Sequence, residues 1–295
     1  FMFKRNLTLL SIINGYVKIT SLAIVPFIAR RFTVEEFGVL AMAQTILGYA
    51  LDCFDGGVKK VGIRELSKAE GRVFEAIIRN IFSIRILMLG LAFLFMNLTG
   101  AILFNNIEHR AIITLISFSV LAQIMDITWI YDAKQDMKWG ALSKFVERTV
   151  FLAVSIAGIY LVNMKMLAFS FPLSVALAVA AVWFLMKDIK PRLFPSSIQM
   201  NYMREGLVIG FSGIAASLCL TIDQFMITYY MGAYELGLYC AATKAFFAIL
   251  TFLWVYSYAL FPRLSQSSVD QEGTRRLLVK HTIGLGIWGT AAVGI

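Results

Sequence analysis

Eight apolar stretches, each long enough to cross a bilayer, succeed one another along the chain, and a ninth is cut off by the C-terminus. A hydrocarbon core of about 30 Å is spanned by roughly 20 apolar residues in a helix. The expected spans are 7–29, 37–58, 77–97, 111–131, 146–162, 167–186, 206–231 and 237–262, with 281–295 unfinished. Hydrophobic residues make up 59% of the sequence and charged ones 15%, and the mean hydropathy is +0.75. That leaves too little polar surface to clothe a water-soluble domain. The expected fold is all-α, a polytopic membrane helix bundle, so function has to come from the few polar residues inside apolar runs.

The net charge of +9 is sorted by loop rather than gathered on a nucleic-acid-binding module. With the N-terminus placed in the cytoplasm, the inner segments hold 20 of the 27 basic residues. The outer loops hold only Arg30, Arg31, Arg110 and Lys165. The inequality is a positive-inside signal and sets the expected orientation. The first apolar stretch is too long for a signal peptide and lacks a small-residue cleavage pattern, so it is expected to stay as a helix. The chain starts at Phe1, ends inside an apolar run, and is expected to belong to a longer protein.

The outer loops are short and the inner ones longer and basic. Lys59–Arg79 has helical charge spacing and is expected to lie along the inner membrane surface. Residues 187–204, with Pro191 and Pro195, form the expected boundary between an N-terminal lobe of six transmembrane helices (1–190) and the start of a C-terminal lobe (200–295). A repeat supports it. EEFGVLAMA from Glu35 and YELGLYCAA from Tyr234 place Glu36, Gly38 and Ala43 against Glu235, Gly237 and Ala242 at a constant offset of 199 residues. Six helices separate the copies, so both keep one orientation, as in parallel-repeat transporters.

Charge inside a span costs about 2.5–3.5 kcal/mol on insertion scales and needs a reason. Ser11, Asn14, Lys18 and Ser21 lie on one face of the first span. Asn14 and Lys18 are candidate cavity residues for an anionic substrate; a structural lysine–carboxylate pair is the alternative. Asp52 shares a face with Thr45, Gly48 and Asp55, and Asp126 shares one with Ser119 and Gln123. Asp52, Arg85 and Asp126 sit at similar depth, which suggests a buried charge network. Asp223 and Lys244 flank a short outer loop at equal depth and are expected to pair, with gating or static roles both open. The candidate substrate contacts are thus Asn14, Lys18, Arg85 and Lys244, and the candidate ion-coupling or gating residues Asp52, Asp126 and Asp223.

Enzyme signals are weak. His109 and His281 are isolated, and Cys53, Cys219 and Cys240 match no metal or redox spacing, so no metal or other cofactor is expected. No phosphate-binding loop occurs. Gly284, Gly286 and Gly289 imitate a dinucleotide fingerprint but lie in an apolar span, where close helix packing is the simpler reading, as it is for Gly206 and Gly210. Glu36, in a tiny loop and repeated as Glu235, is assigned to a turn.

Three segments together resemble one family. FTVEEFGVLAMAQTILGYALDCFDGGVKKVGIREL (32–66) resembles the start of Wzx-type polysaccharide flippases, through Gly38, Asp55-Gly56-Gly57 and Arg64-Glu65. DITWIYDAKQDMKWGALSKF (126–145) resembles their fourth helix and the segment after it, and residues 222–266 their seventh and eighth helices. The resemblance implies a member of the multidrug/oligosaccharidyl-lipid/polysaccharide exporter superfamily, with two six-helix lobes about a cavity. It implies flipping of a polyprenyl-pyrophosphate-linked oligosaccharide across the bacterial inner membrane, driven by H+, Na+ or the membrane potential. Membrane lipids and polysaccharide-assembly proteins are the expected neighbours, and nucleic acid is not. A drug or metabolite exporter of the same fold is the first alternative. A membrane polysaccharide-synthesising enzyme is the second, disfavoured by the absence of a large outer loop.

Overall fold

Thr33 starts the second helix with a capping box. Its Oγ1 accepts from Glu36 N (3.2 Å) while its own N–H donates to Glu36 Oε2 (2.9 Å). The two orphan donors are satisfied reciprocally, so the chain reverses in two residues after the first helix. This is the turn role expected of Glu36. Asn106 and Asn163 accept from Glu108 N (2.9 Å) and Met166 N (3.0 Å), and mark the starts of two further helices.

The computed structural model describes residues 2–185, 198–244 and 246, with side chains from Ile12 onward apart from Leu22. All regular structure among them is helical. The order is α1 (Met2–Arg31), α2 (Val34–Leu51), a π turn (Asp52–Gly56), α3 (Gly57–Leu66), α4 (Gly71–Leu103), α5 (Ile107–Ala122), a 3₁₀ turn (Gln123–Met125), α6 (Thr128–Ala133), α7 (Lys138–Tyr160), α8 (Met164–Leu185) and α9 (Met200–Tyr230). The chain divides into units Phe1–Cys240 and Ala241–Ile295. Every contact below lies in the first.

Among the described residues six runs are long and apolar enough to cross a membrane: Ile12–Arg31, Val34–Leu66, Gly71–Leu103, Ile107–Met125, Met164–Leu185 and Met200–Tyr230. The protein is a polytopic helical membrane bundle. The expected span at 146–162 falls in α7, which is 23 residues long but carries Lys138, Lys144, Glu147 and Arg148 in its first half. The expected boundary at 186–197 and most of the last two spans lie outside the described residues. Leu94, Leu98 and Ile102 of α4, Phe184 of α8 and Tyr230 of α9 are exposed, as suits a lipid-facing surface.

Two expected features change. Lys59–Arg79 is not one surface helix. α2, the π turn and α3 run on continuously to Leu66, the chain turns at 67–70, and the rest is the start of α4. Val58 and Val61 are fully buried and Gly62 sits against the Trp129 ring, so packing carries this helix beyond the hydropathy limit. The fourth expected span, 111–131, is broken after Met125.

α2 is apolar all round and central. Val39, Met42 and Ile46 are fully buried in one core with Leu89 and Met96 of α4, Ile113 and Ile116 of α5, and Leu167 of α8. A second core nearer the 67–70 turn joins Val58, Ile81, Ile84, Ile127 and Ile130. α9 runs antiparallel to α2 and α3 and touches them through glycines. A Cβ on Gly57 would lie 1.8 Å from Gly206 O, and one on Gly210 2.3 Å from Cys53 O. Gly206 and Gly210 are thus close-packing residues, as their spacing suggested.

The repeat also appears in space. A Cβ on Gly38 would meet Ala233 O at 2.1 Å, and one on Gly237 would meet Val34 O at 2.0 Å. The offset of 199 carries 34 to 233 and 38 to 237. The contact is therefore reciprocal, the pattern of a two-fold interface, here between two segments of one chain.

Candidate functional site: a buried charge network and its cavity

Arg85 on α4 is 1% exposed. Its Nε donates to Asp55 Oδ1 (2.7 Å) and its Nη2 reaches Asp55 Oδ2 (3.4 Å). The remaining donors go to backbone: Nη2 to Gln123 O (2.5 Å), and Nη1 to Asp126 O (2.6 Å) and Ile124 O (3.5 Å). These carbonyls belong to the 3₁₀ turn that ends α5 and the break that follows. Orphan carbonyls at a helix end need partners, and irregular backbone is tolerated in a membrane protein where protein satisfies it. One guanidinium thus explains the break in the fourth expected span. Asp126 completes it by accepting from Thr128 N through Oδ1 (3.0 Å) at the start of α6.

Lys59 closes the network. Its Nζ lies 2.8 Å from Asp55 Oδ2 and 2.9 Å from Asp126 Oδ2. Two cations and two carboxylates form a chain, Arg85–Asp55–Lys59–Asp126, that joins the π turn, α3, α4 and the α5–α6 break. Desolvating four charges is costly, and such clusters are weak sources of net stability. What this one does is fix geometry, because Arg85, Asp55 and Asp126 are buried against one another and Lys59, partly open to the cavity, bridges the two carboxylates.

The expected network was Asp52, Arg85 and Asp126. The structure brings Arg85 and Asp126 together and puts Asp55 and Lys59 between them. Asp52 is exposed and faces α9, accepting from Ser217 Oγ at 3.1 Å. It belongs to a second polar feature, a seam between α2 and α9 that includes Thr45 Oγ1 donating to Gln224 Oε1 (2.7 Å) and Tyr49 hydroxyl against Thr221 (2.6 Å). Asp223 accepts from Gln224 N (2.8 Å) and from the Tyr239 hydroxyl. Lys244 is in the other unit, so its expected pairing with Asp223 falls outside the contacts described. Asn14 is exposed and Lys18 half-buried on α1. α1 packs through Thr20, Ile24 and Ile28 and meets α7 through Tyr16, whose hydroxyl lies 3.1 Å from Thr149 Oγ1.

Beside the network lies a cavity of about 540 Å3, lined by Lys59, Gln123, Asp126, Asp132, Lys144 and Glu147 among others. Lys59 and Asp126 satisfy one another, leaving Asp132 on α6 as a half-buried carboxylate. Burial pushes its pKa above the usual carboxylate range, the charge of Asp126 adds to the rise, and Lys144 opposes it. Sequence reasoning missed Asp55 as the partner of Arg85 and Lys59 as the bridge from Asp55 to Asp126, although the i, i+4 spacing of Asp55 and Lys59 is visible, and missed Asp132 altogether. Among the described residues no group of His, Cys, Asp or Glu is arranged to hold a metal ion.

This architecture has a match among known proteins. The profile of the polysaccharide biosynthesis protein family matches residues 3–268. The chain belongs to that family. A relative is a candidate O-antigen transporter of Escherichia coli (strain K12), 20% identical over 298 aligned positions that cover 95% of this chain and 69% of the relative. No solved structure gives a significant match. The family match covers all the elements above, including the charge network and the α2–α9 seam, and agrees with the Wzx-type resemblance in residues 32–66, 126–145 and 222–266.

Proposed function

We propose that the protein flips a polyprenyl-pyrophosphate-linked oligosaccharide from the inner to the outer leaflet of a bacterial plasma membrane, by alternating access between two six-helix lobes, with the N-terminus in the cytoplasm. The observation that carries this reading is the family match over nearly the whole chain, together with a transporter relative. Physical chemistry supports it. A pyrophosphate headgroup needs cations where water reaches, and Lys18 stands half-buried beside the exposed Asn14 on α1. We assign Lys18 and Asn14 to headgroup contact, with Lys244 as a further cation. Arg85 we assign to holding the α5–α6 break, since its donors are committed to Asp55 and three carbonyls. Asp52 and Asp223, the first on the α2–α9 seam and the second in the C-terminal half of α9, are the gating candidates, and Asp126 anchors the network. Coupling to H+, Na+ or membrane potential supplies the energy, about 2.3 kcal/mol per charge per 100 mV.

The test is translocation of a fluorescent polyprenyl-pyrophosphate oligosaccharide in liposomes holding the full-length protein, wild type beside Lys18→Ala. Wild-type movement that collapses in a folded Lys18→Ala protein supports both the flippase and the site. Movement in both proteins removes Lys18 from the site. No movement by folded wild type sinks the flippase reading and leaves the exporter of a smaller metabolite or drug.

A further inference from the structure

α1 ends at Arg31 and α7 at Tyr160, side by side, and a groove of about 530 Å3 runs between the two helices at that end. Its walls are Ile24 and Phe27 of α1 and Leu152, Ile156 and Tyr160 of α7, and its rim is Arg30 and Arg31. Phe27, Ile156 and Tyr160 are exposed, so the groove opens toward lipid. A tyrosine at the end of a membrane-crossing helix marks headgroup height, and the two arginines share that level.

Among the described residues the arginines have no carboxylate to answer them. Neither forms an ion pair among the described residues. Of the nearest acids along the chain, Glu36 is held in the Thr33 capping box, and Glu35 is exposed and lies nearest His109, at 3.7 Å. Favourable interaction with the C-terminal dipole of α1 accounts for a positive charge at this position but not for an apolar groove beneath it. The same two residues are half of the four basic residues on a side of the membrane otherwise poor in them. An apolar trough with two unanswered cations at phosphate height is complementary to one kind of molecule.

We infer that this groove binds an anionic phospholipid, its phosphate against Arg30 and Arg31 and an acyl chain along Ile24, Phe27 and Ile156. The site stands apart from the headgroup contacts assigned to Lys18 and does not depend on the flippase reading. Under the proposed orientation it lies in the outer leaflet, where it braces α1 against α7. The arginine fork suits a phosphate monoanion with two oxygens presented.

The test is native mass spectrometry of the full-length protein released from bilayers of equal phosphatidylglycerol and phosphatidylcholine with identical chains. The wild type is expected to retain phosphatidylglycerol in preference to phosphatidylcholine. Arg30→Gln with Arg31→Gln is expected to lower that retention roughly thirtyfold, the equivalent of about 1 kcal/mol per arginine at a lipid surface. Arg30→Lys with Arg31→Lys should keep most of it, and Ile156→Trp, which fills the groove, should lose both lipids. The lysine pair and the tryptophan variant carry the test if the glutamine pair fails to fold. Equal retention of the two lipids by wild type overturns the proposal, as does unchanged retention in Ile156→Trp. A dimer lost together with the arginines overturns it too, by giving the groove to a second copy.

Discussion

Removing either end of the Asp55–Arg85 pair should cost far more than removing both. Asp55→Leu leaves Arg85 and Lys59 against one carboxylate, Asp126, with Arg85 1% exposed and unable to reach water. Arg85→Leu leaves two carboxylates on Lys59 and, in addition, three carbonyls without their donor. Breaking a buried pair by deleting one partner costs about 3–5 kcal/mol, so each single variant should fall in that range, Arg85→Leu at the upper end. The double variant leaves Lys59 and Asp126 as a neutral pair 2.9 Å apart. Its residual cost is that of the orphaned carbonyls, about 1–3 kcal/mol. The double-mutant cycle should then return a favourable coupling of at least the roughly 0.5–3 kcal/mol typical of groups in contact. The assay is reversible unfolding in mixed micelles, followed by helical signal for all four proteins. Additive losses, with each single variant below about 1 kcal/mol, would refute the reasoning and would mean that water reaches the cluster.

Gly57→Ala should weaken the α3–α9 contact strongly, since its Cβ would start 1.8 Å from Gly206 O and backbone must give way, whereas Gly48, with nothing within 4 Å of a Cβ, should gain about 0.5–1 kcal/mol on the same change. Thermal unfolding of the two variants side by side checks the sign difference. Thr33→Ala should cost about 1 kcal/mol by removing the cap of α2, read from the same melts. Asp132, whose folded pKa is raised, contributes stability that is full below the ordinary carboxylate range and is lost as pH rises through the folded value. Asp132→Asn should therefore be neutral in acid and stabilising near neutral pH; a melting temperature that shifts equally at both pH values counts against a raised pKa.

Much of this fold is legible because a bilayer leaves few options. Apolar runs of sufficient length become helices, since no other open structure satisfies its own backbone in lipid. The charge network was legible only in part, and the π turn is the reason. On a regular helix Asp52 and Asp55, three apart, share a face, and depth along the span put Asp52 at the level of Arg85. The π turn spanning them widens the helix at that point. It sends Asp55 to α4 and leaves Asp52 for Ser217 on α9. Hydropathy hid the break before α6 in the same way, because Ile124, Ile127 and Ile130 continue the apolar pattern while a guanidinium about 40 residues away in sequence takes the carbonyls. Both failures come from tertiary contacts overriding local period, and both fall where charges meet. The repeat went the other way. Glu-x-Gly at an offset of 199 is weak as a pattern, yet its two glycines touch, each against the carbonyl four residues before the other. The reciprocal approach couples the two positions. A bulky residue at Gly38 should therefore disturb the same contact as one at Gly237, and the two changes combined should cost less than their sum.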